Sequence, residues 1–147
     1  MGQVKNIQFK DPDFKHIQRV IQACEAKKIL LLGKPGVGKS TLAKKIEKEL
    51  SFKHIEVDKL YWKHKKGGAV NTQFTQDLIN AVSEEPYVVE GLYKHTRVIL
   101  QNKVDLIITL KASRPKRLIR LLFRDIKRFV KREQVTSDFF WVLRNKK

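Results

Sequence analysis

The sequence predicts an α/β fold of three layers, in which helices cover both faces of a mostly parallel sheet of about four strands. The first observation is that short apolar runs such as KILLLG end at a glycine, as strands buried on both faces do. The second is that amphipathic segments, with apolar residues three and four positions apart, separate these runs. Strands that alternate with helices form parallel βαβ units. We expect residues 1–147 to form one such domain.

The first half of the chain is predicted to contain two helices and two strands. Apolar residues at helical spacing after Asp13 predict a first helix, and those within 39–50 predict a second. The apolar run 28–33 predicts a strand that is buried on both faces. The alternating segment FKHIEVD (52–58) predicts the next strand, and a loop is expected at 61–71.

The second half repeats this alternation. A helix is predicted at 72–84, and a strand follows at 86–91, which is entered through proline and left through glycine. After a short irregular or helical piece, the apolar run 104–110 predicts another buried strand. A long helix is predicted at 115–133, and a final helical piece at 137–144.

The composition excludes several classes of protein. No apolar run approaches the roughly 20 residues that cross a bilayer, and the first residues lack the apolar stretch of a secretory signal. Cys24 is the single cysteine, so no intramolecular disulfide can form. We therefore expect a protein of the reducing cytoplasm, without a membrane span.

The charge of the chain is high and uneven. The formal net charge is +17, and residues 111–147 hold 13 of the 32 Lys and Arg but only 3 of the 15 Asp and Glu. A basic, helical C-terminal part of the domain is therefore predicted. Such a field attracts polyanions, whether nucleotides, nucleic acid or an acidic membrane surface.

The strongest motif lies between the first predicted strand and the second predicted helix. GKPGVGKS at 33–40 matches the P-loop pattern G-x-x-x-x-G-K-[ST] at every fixed position. Its glycines allow backbone N–H groups to point into one concavity, and the helix that follows adds its positive N-terminal end. The predicted phosphate cradle consists of Gly33, Lys34, Pro35, Gly36, Val37, Gly38, Lys39, Ser40 and Thr41.

Three side chains of this cradle have predicted roles. Lys39 is expected to bridge β- and γ-phosphate oxygens, and the Ser40 hydroxyl to ligate Mg²⁺. Thr41 can reach the α-phosphate from the first helical turn. The predicted cofactors are therefore ATP and Mg²⁺, and a P-loop NTPase fold is expected.

A P-loop does not specify the reaction. A motor or AAA-type ATPase normally has Asp-Glu after an apolar strand, and neither VVEGL nor DLIITLK contains that pair. We do not predict a GTPase, although NKVD at 102–105 matches the Asn/Thr-Lys-x-Asp pattern of that class. The remaining prediction is a small-molecule kinase.

Two further segments support this prediction through a family resemblance. Together with the P-loop, HIEVDKLYWK (54–63) and VVEGLYKHTR (88–97) resemble the adenylate-kinase-like kinases. Within that group the chain looks most like the adenylate-kinase-related proteins described as DNA topology modulation (FlaR-type) proteins. The likeness extends from about Lys28 to Arg128.

Two acidic residues are candidates beside the P-loop. Asp58 is predicted at the carboxyl end of a strand, where ligands of open α/β sheets bind, and it could accept a proton from an acceptor hydroxyl or hold a metal-bound water. The alternative is an ordinary loop-capping aspartate. Glu90 stands where the resemblance implies an aspartate near Mg²⁺ or substrate, so its side chain reaches one methylene further.

The acceptor region is predicted less specifically. Tyr61 and Trp62 either stack on a flat substrate or close the core. The resemblance places Lys94 and Arg97 where related enzymes contact the acceptor, and a surface role is the alternative.

The long C-terminal helix is predicted to have a basic stripe and an apolar stripe. The resemblance implies that its arginines clamp the transferring phosphoryl group, and the candidates are Arg117, Arg120 and Arg124. Alternatively the stripe is a solvated face, or it binds nucleic-acid backbone. The positions expected to face the core are Leu118, Leu122, Phe123, Ile126 and Phe129.

The sequence departs from the resembled family at its C-terminal end. Related enzymes carry a mobile lid after this helix, but here only about residues 133–136 separate it from the next helical piece. They also have a fifth strand after the lid, which this sequence does not provide there, so a sheet that lacks its fifth strand is expected.

The predicted function is transfer of the γ-phosphoryl group of Mg-ATP to a small hydroxyl or phosphate acceptor, such as a nucleoside or nucleotide. The rival prediction is a nucleic-acid-binding P-loop ATPase.

Overall fold

The computed structural model describes residues 4–11, 13–64, 72–91 and 94–130. Within these ranges it contains one sheet whose neighbouring strands are all parallel, in the order β1-β5-β2-β4-β3. The strands are β1 (Lys5–Lys10), β2 (Lys28–Leu32), β3 (Lys53–Glu56), β4 (Tyr87–Glu90) and β5 (Leu106–Lys111).

Helices connect the strands, as the alternation in the sequence predicts. They are α1 (Phe14–Ala23), α2 (Lys39–Leu50), α3 (Val57–His64), α4 (Thr72–Ala81), α5 (Lys94–Gln101) and α6 (Arg114–Val130). The helical piece predicted at 137–144 and the lid region at 133–136 lie outside the described residues.

The sheet has five described strands, so the expectation of about four with the fifth missing is wrong. The additional strand is β1, which pairs with β5 from Lys5 opposite Leu106 to Lys10 opposite Lys111. The sequence conceals this strand because KNIQFK has no apolar run. As an edge strand it buries only Phe9 fully and leaves its polar residues in solvent.

Two apolar clusters lie on opposite faces of the sheet and form the three layers. One cluster packs α1 and α2 on the sheet through residues such as Ile17, Ile21 and Ile46. The other packs Phe74 and Leu78 of α4 on the opposite face. Alternate residues within each central strand supply both clusters, which explains why these strands are apolar throughout.

Two local predictions require correction. The strand predicted at 52–58 ends at Glu56, and the first part of the loop predicted at 61–71 is helical, because α3 extends from Val57 to His64. Residues 65–71 of that predicted loop lie outside the described part of the chain. In α6, Leu122 and Ile126 do not face the core, since they are 44% and 49% exposed, and Phe123 is also exposed. The helix instead buries the face that carries Arg117 and Leu121.

The physical reason for this orientation is contact with the P-loop. A Cβ atom added at Gly36 would lie 2.8 Å from the Arg117 carbonyl oxygen and 3.0 Å from Cγ of Leu121. The side chain of Phe129 lies outside the described part of the chain. Apolar spacing therefore predicts the helix correctly but not which of its faces is buried.

Candidate nucleotide site

The P-loop connects β2 to α2 at the carboxyl end of the sheet. Gly36 and Gly38 have φ values of 80° and 102°, in the left-handed region that glycine adopts readily. Val37 between them is buried beneath the loop. The helix α2 begins at Lys39, so its positive N-terminal end lies at the loop, as an anion site requires.

Lys39 folds back over this loop. Its Nζ atom donates to the carbonyl oxygen of Gly33 at 2.8 Å and to that of Lys34 at 3.4 Å. Burial lowers the pKa of Lys39, and the negative charges of Glu90 and Asp58 oppose that shift. The cation thus contacts the loop and is influenced by two carboxylates, within the cradle that the motif predicts.

A buried carboxylate lies directly beside the start of α2. Glu90 at the end of β4 accepts a hydrogen bond from Ser40 Oγ at 2.7 Å and lies 3.0 Å from His54 Nε2. Burial raises the pKa of Glu90, but these hydrogen bonds together with the positive charges of His54 and Lys39 outweigh burial, so the net shift is downward. Glu90 is therefore an ionised acceptor beside the predicted metal-ligating hydroxyl.

Asp58 lies near this group, in the first turn of α3. Its Oδ1 atom is 3.1 Å from the position that a Cβ atom on Gly91 would occupy, so the glycine after Glu90 leaves room for Asp58. Asp58 is exposed, unlike Glu90. It is thus accessible to a second molecule that enters beside the P-loop.

The arginines of α6 contact the backbone of the P-loop. Arg117 is buried, and its Nε atom donates to the Pro35 carbonyl oxygen at 3.0 Å. Arg120 donates to the Val37 carbonyl oxygen at 3.2 Å. Burial lowers the pKa of Arg117. Arg124 lies one turn further along, and its positive charge lowers the pKa of Lys39.

The predicted acceptor residues are only partly described. Trp62 is 54% exposed and meets Tyr61 edge to face, with ring centroids 5.9 Å apart. Tyr61 in turn packs edge to face on Phe74 of the core, at 6.1 Å. Tyr61 therefore packs against the core, whereas Trp62 is exposed. The side chains of Lys94 and Arg97 lie outside the described part of the chain.

The residues around Ser40 fit a magnesium ion. Mg²⁺ prefers oxygen ligands and is usually bound through one or two carboxylates together with substrate phosphates and water. Ser40 and Glu90 supply such oxygens at one point. Within the described residues, no three His, Cys, Asp or Glu side chains converge on a metal position. Ser40 and Glu90 therefore fit a Mg²⁺ ion that substrate phosphates and water also coordinate.

Sequence reasoning missed one residue of this site, His54. Its segment HIEVDKLYWK is part of the family resemblance, but nothing in the sequence pairs it with Glu90, which lies 36 positions away. Only the parallel pairing of β3 with β4 brings the two together.

A comparison of the sequence with protein families yields one match. Residues 29–136 match the family described as AAA domain. This chain belongs to that family. The matched region begins in β2 and includes the P-loop, Glu90 and all of α6.

The fold also resembles solved structures. A shikimate kinase from Bacteroides thetaiotaomicron matches with a TM-score of 0.50 and 17% identity, over 80% of this chain and 75% of that one. A gluconokinase from Sinorhizobium meliloti 1021 matches with a TM-score of 0.49 and 21% identity, over 81% and 77% of the two chains. No curated protein matches the sequence. The likeness to the shikimate kinase supports a P-loop nucleotide-binding fold.

Membership of this family agrees with the predicted P-loop kinase-like fold. The Asp-Glu pair that is typical of a motor ATPase does not follow β4, which ends at Glu90 and is followed by Gly91. The special closeness to FlaR-type proteins remains a prediction.

Among the described residues no helix is long and apolar enough to cross a membrane.

Proposed function

We propose that this protein transfers the γ-phosphoryl group of Mg-ATP to a small acceptor that carries a hydroxyl or phosphate group, of nucleoside or nucleotide type. The observation that carries the proposal is the convergence of four kinds of group on one P-loop: the Lys39 cation, the Ser40–Glu90 pair, the exposed Asp58 and the arginines of α6. Phosphoryl transfer depends on positioning and charge stabilisation, which these groups can supply.

The reaction follows from these positions. The acceptor hydroxyl oxygen attacks the γ-phosphorus, the bond to the β–γ bridging oxygen breaks, and ADP leaves. Asp58 accepts the hydroxyl proton, because it is exposed beside the P-loop. Lys39 moves from the loop carbonyls to the β- and γ-phosphate oxygens. Ser40 together with Glu90 would hold Mg²⁺, which would neutralise phosphate charge.

The arginines divide into two roles in this proposal. Arg117 and Arg120 hold the P-loop in shape through its carbonyl oxygens, and their remaining N–H groups stabilise the γ-phosphoryl group. Arg124, whose charge influences Lys39, acts directly on the transferring group. The family resemblance further suggests Trp62, Lys94 and Arg97 as the residues that contact the acceptor.

These contacts also make the nucleic-acid alternative less suitable. A stripe that binds phosphate backbone must present its cations to solvent, but Arg117 is buried. Arg120 is exposed, but its guanidinium group donates to the loop.

The decisive experiment is a screen of nucleosides, nucleotides and other small hydroxyl compounds with γ-labelled ATP. The label is expected in an acceptor with the unmodified protein and not with Lys39→Ala. Asp58→Asn should retain ATP binding but lose most of the transfer, since only the proton acceptor changes. Release of free phosphate without any labelled acceptor would replace the kinase proposal by an NTPase.

A further inference from the structure

His54 belongs to the site but has no part in the reaction as proposed. It lies on β3, and its side chain is only 4% exposed. Its Nε2 atom is 3.0 Å from Oε1 of Glu90, while Oε2 of the same carboxylate accepts the Ser40 hydroxyl at 2.7 Å. One carboxylate thus joins a buried imidazole to the first turn of α2.

The imidazole restricts the carboxylate. The last torsion of a glutamate side chain is broad, so a glutamate at a strand end does not fix the direction of its oxygens by itself. A ring buried between sheet and helix can fix it, because one oxygen is then committed to the ring and the other must point elsewhere. On the opposite side of the ring, Nδ1 lies 3.9 Å from Oε2 of Glu47 on α2.

We propose that His54 is a positioning residue for the metal–nucleotide complex: Nε2–H donates to Oε1 of Glu90 and thereby aims Oε2 at the Ser40 hydroxyl, where the metal binds. This inference rests on the proposed function in requiring a Mg-nucleotide at the P-loop. It does not depend on the acceptor or on the transfer step. His54 touches neither nucleotide nor metal and acts only through Glu90.

The proposal predicts a selective defect. In His54→Leu the Glu90 carboxylate loses its donor and can turn away from Ser40, so the gain in nucleotide affinity on adding Mg²⁺ should fall by about 10- to 100-fold, as for other residues that orient a metal ligand. Affinity measured in EDTA should stay within about twofold, because Lys39 and the loop amides are unchanged. His54→Gln keeps an N–H donor at a similar distance and should restore most of the gain.

The test is calorimetric titration of the full chain with adenylyl imidodiphosphate, an ATP analogue that resists hydrolysis, once with Mg²⁺ and once with EDTA. The chain offers a matched control in His64, whose Nε2 atom is 2.9 Å from Oδ2 of Asp77 in a pair that joins α3 to α4. His64→Leu also removes a histidine–carboxylate contact, and it should leave the Mg²⁺-dependent gain intact.

A second measurement uses the unmodified protein, in case His54→Leu does not fold. The chain has four histidines, so ring ¹⁵N signals can be assigned by substitution. Adding Mg²⁺ to the analogue-bound protein should shift the Nε2 signal of His54 and not that of His64. An unchanged His54 signal would overturn the proposal.

The outcomes separate this inference from the proposed function. Equal loss of affinity with and without Mg²⁺ in His54→Leu, or no rescue by His54→Gln, would overturn the positioning role. The positioning role would also be overturned if the nucleotide affinity of the wild-type protein does not change when Mg²⁺ is added. If the Mg²⁺-dependent gain behaves as expected but no acceptor is labelled from ATP, the kinase proposal fails and the role of His54 stands.

Discussion

At the scale of single residues, the P-loop requires glycine for two different reasons. At Gly38 the requirement is conformational, because φ is 102° but an added Cβ would meet only the end of the Arg120 side chain at 3.9 Å. At Gly36 a positive φ is combined with close packing, because a Cβ atom added there would lie 2.8 Å from the Arg117 carbonyl oxygen. The sequence pattern predicts both glycines but not this difference, which depends on where α6 packs.

We therefore expect Gly36→Ala to destabilise the protein more than Gly38→Ala. Both changes place a Cβ atom in the left-handed region, which costs about 1–2 kcal/mol. Gly36→Ala adds a backbone clash, and overpacking of this kind costs roughly a further 1–3 kcal/mol. The free energy of unfolding in urea, measured without nucleotide, checks the difference. Equal losses in the two variants would show that α6 does not press on the loop.

At the scale of the elements, α6 braces the P-loop. Its side chains were predicted to act on a phosphoryl group, but in the structure Arg117 and Arg120 also hold the loop through its carbonyl oxygens. A sequence predicts that a basic helix follows β5, but the hydrogen-bonding partner of each arginine depends on how the helix is rotated. Because Gly36 has no Cβ atom, the backbone of α6 can approach the P-loop closely. This contact determines how α6 is rotated about its axis.

The variant Arg117→Met tests this bracing. Methionine keeps the aliphatic packing but leaves the Pro35 carbonyl oxygen without its donor, so we expect a loss of about 1–3 kcal/mol in the free energy of unfolding. Lys116→Met is the control on the next position. It removes an exposed ion pair with Asp11, at 3.0 Å, and should cost at most about 1 kcal/mol. Full stability of Arg117→Met with a large fall in kcat would mean that Arg117 serves catalysis alone.

The junction of α3 with α4 provides a prediction of pH dependence. Hydrogen bonds from Gln73 and His64 lower the pKa of Asp77 below its ordinary value of 3.8. A carboxyl group whose pKa is lower in the folded than in the unfolded state stabilises the fold at pH values above its unfolded-state pKa. This stabilisation is lost as the pH falls through the folded-state pKa.

Asp77→Asn should therefore lower the thermal midpoint at pH 6, and the difference from wild type should shrink below about pH 4. The control is Gln76→Ala, which removes an uncharged hydrogen bond to Asn80 at 3.0 Å on the same helix. Its effect should be the same at both pH values. A constant deficit for Asp77→Asn across this range would contradict the ionic contribution.

At the scale of the whole molecule, the edge of the sheet beside β5 is formed by the N-terminal strand. The sequence predicted a sheet without a fifth strand, because the resembled family supplies that strand after the lid. The structure fills the position from the other end of the chain, through β1. Phe9 is the buried anchor of this strand, and it belongs to the same apolar cluster as Ile17 and Leu110.

Phe9→Ala should consequently lower the free energy of unfolding by about 3–5 kcal/mol, as expected for a buried phenylalanine. The neighbouring Gln8 is exposed on the same strand, and Gln8→Ala should change stability by no more than about 0.5 kcal/mol. Urea unfolding of both variants checks this. A Phe9→Ala protein as stable as wild type would show that β1 is dispensable to the sheet.

The sequence by itself determined the alternation of strands and helices and the phosphate cradle at 33–41, because both follow from local patterns: apolar runs, helical periodicity and a glycine-rich turn. Tertiary structure alone decided the fifth strand, the buried face of α6 and the contact of His54 with Glu90. Each of these depends on residues far apart in the chain. Such contacts are fixed by sheet order and packing, which no short stretch of sequence encodes.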